Sequence, residues 1–168
     1  MATVTANYAA DAQLTVTLAS LATSSTFVAG REATAVDNGT NKYVDALLSG
    51  KITVGTTPTA NTQIRVYVFA ATEDTPAWPD VMDGTDSAET LTTIGVGNGF
   101  LKLAAVLDVD STTSDRTYAF GPVSVAQLFG GVLPEDWSVF VAHNTGVNLN
   151  ATGSNHEISY KGVKFDVA

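Results

Sequence analysis

The feature that most constrains the fold is a run of strict alternation in Gln63–Ala71 (QIRVYVFAA). Aliphatic residues alternate there with Arg65, Tyr67 and Phe69, and a period of two places the two sets on opposite faces of a β-sheet. Because the second set is mainly aromatic, both faces of this strand are expected to be at least partly covered.

Other runs of the same kind, with weaker alternation, recur along the chain and are separated by turn residues. The longest is Tyr43–Val54, in which the pair Ser49-Gly50 predicts a bulge or bend. One short helical turn is predicted at Ser124–Phe129, with Ser124 as its N-cap. Phe100–Val109 could be a helix by propensity, but the glycines that precede it favour a strand. The other predicted strands are Phe100–Val109, Arg116–Val123, Trp137–His143 and Ile158–Val167, with Gln13–Leu18 and Ser25–Ala29 nearer the N-terminus.

About eight short strands and one short helical turn predict an all-β fold, a single-domain jelly-roll-like β-sandwich. A chain of 168 residues has the size of one domain. We expect residues 21–168 to form the sandwich and residues 1–20 to be an N-terminal arm or an edge strand. Two turn-rich segments interrupt the pattern, the acidic Thr72–Asn98 and the polar Asn144–Asn155. Loops as long as the first of these are usually functional or disordered.

The composition excludes several classes of function. There is no Cys, so disulfides, thiol nucleophiles and Cys-based zinc sites are ruled out. A net charge of −9 argues against nucleic-acid and anionic-membrane partners. The sequence has neither a run of apolar residues long enough to span a membrane nor the pattern of a secretory signal, so we expect synthesis in a cytoplasm.

Carboxylates are the main candidates for chemistry, and they stand in turn sequence without the apolar flanks that would raise a pKa. A calcium site in the acidic segment is the sharper alternative, although the spacing does not match an EF-hand loop. His143 and His156 are expected to be polar residues at strand edges, and Gly95–Gly99 a flexible turn that does not open a helix. The sequence therefore predicts no enzyme, no cofactor and no metal site. The carboxylates considered are Asp80, Asp83, Asp86 and Glu89 in the acidic segment, and Asp108, Asp110 and Asp115 around a later turn.

Trp78 lies between prolines in the acidic segment, in the sequence PAWP, which is an unusual setting for a core residue. An exposed Trp beside proline suits an interface anchor or a carbohydrate-stacking site. Alternatively, the segment folds back over the sandwich as a lid. We take Trp78, Pro79, Asp80 and Met82 as the candidate interface, and we expect Trp137 in the core.

Three blocks of the sequence resemble one family. They are SGKITVGTTPTANTQIRVYVF, FGPVSVAQLFGGVLPEDWSVFVAHNTG and the Asn-rich turn that leads into ISYKGV. Over residues 43–167 the chain resembles small virion-associated proteins of tailed bacteriophages. The resemblance implies a non-enzymatic virion protein with a jelly-roll-like fold, made in the host cytoplasm.

Within the particle, head decoration (cement) is the station that we expect. The partners would then be the major capsid protein and further copies of the chain, as a dimer or trimer on a symmetry axis. A carbohydrate- or receptor-binding module on a tail or head fibre is the alternative, and it depends on Trp78 and the acidic segment.

Overall fold

The computed structural model describes residues 3–73 and 75–167, which contain eleven β-strands, two short α-helices and one 3-10 turn. The helices are α1 (Ile94–Phe100) and α2 (Val125–Leu128), and the 3-10 turn is Gly153–Asn155. The strands are β1 (Val4–Tyr8), β2 (Ala12–Gln13), β3 (Ala29–Glu32), β4 (Val36–Asp37), β5 (Asp45–Thr53), β6 (Thr62–Ala70), β7 (Ala88–Thr90), β8 (Lys102–Val109), β9 (Thr117–Ser124), β10 (Asp136–His143) and β11 (Glu157–Val167).

The strands form two antiparallel sheets that pack as a sandwich. The first sheet has the order β1-β11-β5-β9, with β2 also paired to β11, and the second has the order β7-β3-β10-β6-β8, with β4 paired to β10. If β1 and β2 are counted as one strand and the short strands β4 and β7 are left out, eight strands remain. Numbered 1 to 8 along the chain, they have the order 1-8-3-6 in the first sheet and 2-7-4-5 in the second. This alternation between sheets is the order of a jelly roll, so the predicted fold class is confirmed.

The main core lies between the two sheets and is built from the inward set of each alternating strand. Trp137 is fully buried there, as predicted, with its ring edge-on to Tyr160 at 5.3 Å between centroids. The register of β5 against β9 shifts between Leu48 and Gly50, which confirms the predicted bulge. The predicted helical turn is α2, and the Ser124 side chain caps it by accepting a hydrogen bond from the Gln127 N–H at 3.1 Å.

A third layer covers the outer face of the second sheet. Tyr67 and Phe69 of β6 point to this face, as the alternation predicted, and both are buried with Phe140 of β10. The covering residues come mainly from segment 72–101, which also contains β7 and α1. The acidic segment is therefore a packed layer with two short regular elements. Together with Tyr67, Phe69 and Phe140, the covering residues form a second hydrophobic cluster. The side chains that residues 78–101 contribute to it are Trp78, Met82, Leu91, Ile94, Phe100 and Leu101.

The predicted strand Gln13–Leu18 is wrong beyond Gln13, although its alternation is correct. Leu14 and Leu18 are buried in the main core, but the segment crosses from one sheet to the other. The Leu14 N–H donates to Ile158 of the first sheet, whereas the carbonyl of Thr15 accepts from Thr34 beside the second. A chain that bridges two sheets buries alternate side chains without joining either ladder.

The predicted strand Ser25–Ala29 is also wrong. The Phe27 N–H donates to the carbonyl of Ser24 in a turn, and Phe27 has a left-handed φ of 58°. Regular pairing begins only at Ala29. The aromatic ring of Phe27 nevertheless joins the second cluster, and the Arg65 guanidinium lies 3.9 Å from its centroid.

The glycine-rich stretch Gly95–Gly99 lies inside α1, so the prediction of a flexible turn is wrong. Thr93 is the N-cap, and its hydroxyl accepts from the Val96 N–H at 3.2 Å. A Cβ on Gly97 would lie 2.7 Å from Leu91 Cδ1, so the Leu91 side chain would have to shift to accept one. Neither helix of the described residues is long and apolar enough to cross a membrane.

Candidate functional site

The predicted interface residues lie in the third layer, and their exposure differs from one residue to the next. Trp78 is half-buried, with its ring edge-on to Phe69 at 5.6 Å between centroids. A Cβ on Gly84 would lie 2.8 Å from the same ring, so Trp78 also packs closely over the 82–84 turn. Met82 is only 5% exposed. This placement corresponds to the lid alternative for Trp78, while Asp80 is exposed and Pro79 half-buried.

Glu32 anchors the 82–84 turn from beneath. Its side chain is 0% exposed, and its two carboxylate oxygens accept from the Gly84 N–H at 2.7 Å and the Asp83 N–H at 3.2 Å. Burial raises the pKa of the Glu32 carboxyl to about 7, although the two main-chain donors act to lower it. Asp83 and Glu89 nearby add a smaller upward contribution. Nothing in the sequence AGRE marked this residue as an anchor.

Asp86 is a second anchor and joins three parts of the chain. It accepts from Arg31 Nε at 2.6 Å, from the Thr17 N–H at 2.9 Å and from the Thr17 hydroxyl at 2.6 Å. Burial alone would raise the pKa of the Asp86 carboxyl, but the hydrogen bonds from Arg31 and Thr17 outweigh it and lower that pKa. The acidic segment is thereby tied both to β3 and to the segment that crosses between the sheets.

Three other carboxylates of the acidic segment are bound to residues of the same segment. Each accepts a hydrogen bond from a hydroxyl or main-chain N–H nearby in the chain, as expected of Asp and Ser in turns. Across residues 3–73 and 75–167, no group of three or more acidic or His side chains is placed to hold a metal ion. The pairs are Asp80 with Thr92, Asp83 with Thr85 and Glu89 with Ser87.

The three carboxylates of the later turn are likewise spread over separate contacts. Asp108 and Asp110 both line one open cavity, but each of the three carboxylates contacts a different residue. The contacts are Asp108 to Gln63 at 3.2 Å, Asp110 to Tyr118 at 3.0 Å and Asp115 to Asn150 at 2.6 Å.

Both histidines lie at strand ends, as predicted, and both are buried: His143 is the last residue of β10, and His156 directly precedes β11. His143 is 0% exposed, and its ring nitrogens lie 3.0 Å from the Leu21 carbonyl and 3.0 Å from the Thr145 hydroxyl. Burial lowers the pKa of His143 to about 4. In His156, Nδ1 accepts from the Thr53 N–H at 3.3 Å and Nε2 lies 2.9 Å from a main-chain carbonyl. Both side chains hold the polar segment Asn144–Asn155 in place.

A second candidate surface, which the sequence analysis did not single out, is the ribbon formed by β1 and residues 163–167 of β11. Pairing of β11 with β5 ends at Val163, and beyond that point β11 pairs only with β1. The register places Tyr8 opposite Val163 and Ala6 opposite Phe165, so these residues share one apolar face. Tyr8 is 61% exposed and Phe165 is 59% exposed. The alternation VTANY at 4–8 was the signal for this face.

The polar face of the same ribbon is held by its own contacts. Asn7 donates to Asp166 at 2.7 Å, and Lys164 lies 3.6 Å from Asp166. The bond to Asn7 is the main reason that the pKa of the Asp166 carboxyl is lowered. The ribbon is therefore amphipathic, with one internally paired face and one apolar face that no described residue covers. Exposed apolar patches of this kind commonly mark protein contacts.

Replacing Trp78 by Ala distinguishes a lid from a contact residue. As a lid, Trp78→Ala removes packing against Phe69 and Gly84, and we expect the free energy of unfolding in urea to fall by about 2 kcal/mol. Val132→Ala is the matched control, because Val132 is 72% exposed and should change stability by less than about 0.5 kcal/mol. A Trp78→Ala protein as stable as the wild type would contradict the lid.

Comparisons with known proteins give no family. No family model, no curated protein and no solved structure matches the chain.

Proposed function

We propose that the chain is a non-enzymatic structural protein of a tailed-bacteriophage virion that decorates the head and bridges subunits of the major capsid protein. The observation that carries the proposal is the apolar face of the β1–β11 ribbon. Its aromatic residues, Tyr8 and Phe165, are more than half exposed at one end of the first sheet. Aromatic residues on a rigid strand are effective anchors in protein interfaces. The sequence resemblance supplies the setting.

The use of the polar side chains also supports a structural role. Glu32 and Asp86 hold the third layer by hydrogen bonds. His143 and His156 hold the polar segment Asn144–Asn155 and the chain near Leu21 in the same way. Groups with shifted pKa values often mark catalytic sites, but ion-pair and hydrogen-bond networks shift pKa values as well. In this protein Glu32, Asp86, His143 and His156 each have hydrogen-bond partners that explain their positions. A rigid body with an exposed contact face suits a particle component.

A carbohydrate- or receptor-binding role has less support. That alternative relied on Trp78 as an exposed stacking platform, whereas its ring packs against Phe69 and over Gly84. It also relied on calcium in the acidic segment, where Asp80, Asp83 and Asp86 are each bound by protein donors.

Heads from a phage that lacks this gene provide the direct test. We expect added wild-type protein to bind them and to raise the temperature at which they lose DNA. The double variant Tyr8→Thr/Phe165→Thr keeps strand-forming residues and removes both aromatic anchors, so we expect its affinity for heads to fall at least about tenfold. Val132→Thr, an equally exposed apolar residue elsewhere, is the control and should bind like the wild type.

The copy number of the chain in purified virions is a second readout, obtained by quantitative mass spectrometry against the major capsid protein. Hundreds of copies per particle would agree with head decoration. A few copies would place the chain in the tail or neck and contradict bridging of the head lattice. Absence from the particle would overturn the whole proposal.

A further inference from the structure

β1 has one edge that is paired and one that is open. Its inner edge pairs with β11 over all five residues, from Val4 opposite Val167 to Tyr8 opposite Val163. All five residues of β1 are exposed, and β1 is the terminal strand of the first sheet. No strand among the described residues pairs with its outer edge.

The direction of the main-chain groups along β1 follows from the hydrogen bond just beyond it. The Ala9 N–H donates to the Gly162 carbonyl of β11 at 2.8 Å. In an antiparallel ladder, the N–H and C=O of one residue point to the same side, and successive residues alternate. Thr5 and Asn7 therefore bond to β11, while the main-chain groups of Val4, Ala6 and Tyr8 point to the open edge.

Nothing in the sequence protects this edge against pairing. Natural edge strands usually carry Lys, Pro or a bulge that blocks another strand, but residues 2–10 contain no charged residue and no proline. The five residues VTANY are also self-complementary about their centre. Antiparallel pairing of two copies about Ala6 would place Val4 opposite Tyr8 and Thr5 opposite Asn7, with Ala6 opposite its own counterpart.

The charges next to β1 favour a second copy of the same chain as the occupant. The chain carries −9 overall, so most approaches of two copies are repulsive. The ribbon itself is neutral, with Lys164 and Asp166 as its charged residues on β11. Lys164 lies opposite Asn7, and Asp166 lies opposite Thr5. In the pairing about Ala6, the two transverse rows that run through Thr5 and Asn7 would therefore each end with Asp166 of one copy and Lys164 of the other.

We propose that β1 is the edge through which two copies associate, paired antiparallel about a two-fold axis at Ala6, so that their first sheets become one continuous sheet. The outward N–H and C=O groups of Val4, Ala6 and Tyr8 supply the main-chain hydrogen bonds. The inference assigns a surface to the self-association that the sequence analysis expected as a dimer or trimer. It rests on the proposed function for its setting. Because a five-residue edge is small, we expect a dissociation constant in solution of about 1 mM or tighter.

Opposite charges placed at Ala6 test the axis directly in the full-length chain. Ala6→Lys or Ala6→Asp alone sets two like charges against each other, and each should weaken the dimer at least about fivefold by sedimentation velocity. An equimolar mixture of the two variants should recover association as a heterodimer. Ala119→Lys makes the same change on β9, the opposite edge strand of the sheet, and should leave the dimer intact. A mixture no more associated than its components would overturn the proposal.

Ala6→Pro separates loss of the edge from loss of the fold. Proline removes the N–H that points outward and spares the ladder to β11, as proline on an edge strand can do. We expect wild-type stability and a dimer weakened at least about tenfold by the loss of the two central hydrogen bonds. A wild type that stays monomeric at millimolar concentration overturns the inference. Head binding through Tyr8 and Phe165 is measured separately and would survive that result.

Discussion

Replacing Glu32 by Gln should change how the stability of the protein depends on pH. Relative to the wild type, we expect the free energy of unfolding of Glu32→Gln to rise by about 1.4 kcal/mol for each pH unit between about 4.5 and 7. The total gain should be about 3 kcal/mol and should stay constant at higher pH. The gain is the change with pH in the stability difference between the two proteins, so any cost of the substitution that does not depend on pH cancels.

The sign follows from the two states of Glu32. Its folded pKa is about 7 and its ordinary value is 4.5, so between these values the folded protein holds a proton that the unfolded chain has lost. The stabilisation from the neutral group is complete below 4.5 and is lost as the pH rises through about 7. Gln has no proton to lose in this range, so its contribution to the free energy of unfolding does not change with pH.

His143 has the opposite effect and shapes the curve of the wild type. Burial lowers its folded pKa to about 4, so the unfolded chain binds a proton that the folded protein excludes between 6.5 and about 4. Stability from this group is present above 6.5 and is lost as the pH falls. In the wild type the two slopes oppose each other between 4.5 and 6.5. Glu32→Gln should leave the rising slope of His143 in that range, to which His156 adds because burial lowers its pKa as well.

Urea denaturation followed by tryptophan fluorescence across this pH range measures both proteins under identical conditions. Curves that run parallel would contradict a raised pKa for Glu32. A difference that shrinks as the pH rises would contradict the sign. Hydrogen exchange of the Asp83 and Gly84 amides would then report whether the 82–84 turn loosens in the wild type above pH 7, because both amides are donors to Glu32.

The sandwich was predictable because its core strands follow a simple geometric rule. In β6, Tyr67 and Phe69 alternate with aliphatic residues, and the alternation alone indicated a strand buried on both faces. The bulge at Gly50 and the cap at Ser124 could also be predicted, because each depends on a residue with a local conformational role. These features are determined over a few neighbouring residues.

The anchors of the third layer were not predictable, because they are distant in sequence from the residues that they hold. Glu32 holds residues about 50 positions away, and Asp86 bonds to Thr17 across 69 positions. Neither residue stands in a motif, so local patterns gave no reason to choose them. α1 was missed for a related reason. Three glycines disfavour a helix, and packing of Ile94 and Phe100 on the aromatic cluster overrides that preference.

The candidate interface shows the same division. The prolines beside Trp78 indicated an irregular segment, but they did not show which way the ring points, and it points to Phe69. The ribbon surface depends on the register of Phe165 against Ala6, which pairs the two ends of the described chain. The sequence analysis expected an arm or an edge strand for residues 1–20, and the structure places residues 4–8 as an edge strand.

Replacing Asp86 by Ala should release the third layer from the rest of the fold. The substitution removes three hydrogen bonds from Arg31 and Thr17. It leaves the Arg31 guanidinium without its carboxylate, with only 21% of its side chain exposed and one bond from Nη2 to the main-chain carbonyl of residue 86 at 2.7 Å. Loss of one partner from a largely buried ion pair typically costs about 3 kcal/mol, mostly from the charge left behind. We expect a loss of that size in the free energy of unfolding at pH 7.

Asp83→Ala is the matched control, because it removes a carboxylate three residues away in the same segment. Asp83 is exposed, and its side chain bonds only to Thr85 within its own turn, so we expect a cost below about 1 kcal/mol. Amide exchange in residues 78–93 should accelerate in Asp86→Ala and stay unchanged in Asp83→Ala, while β10 remains protected in both. Equal costs for the two variants would mean that the segment is held by general packing. Unequal costs would show that one residue, Asp86, couples β3, the crossing segment and the third layer.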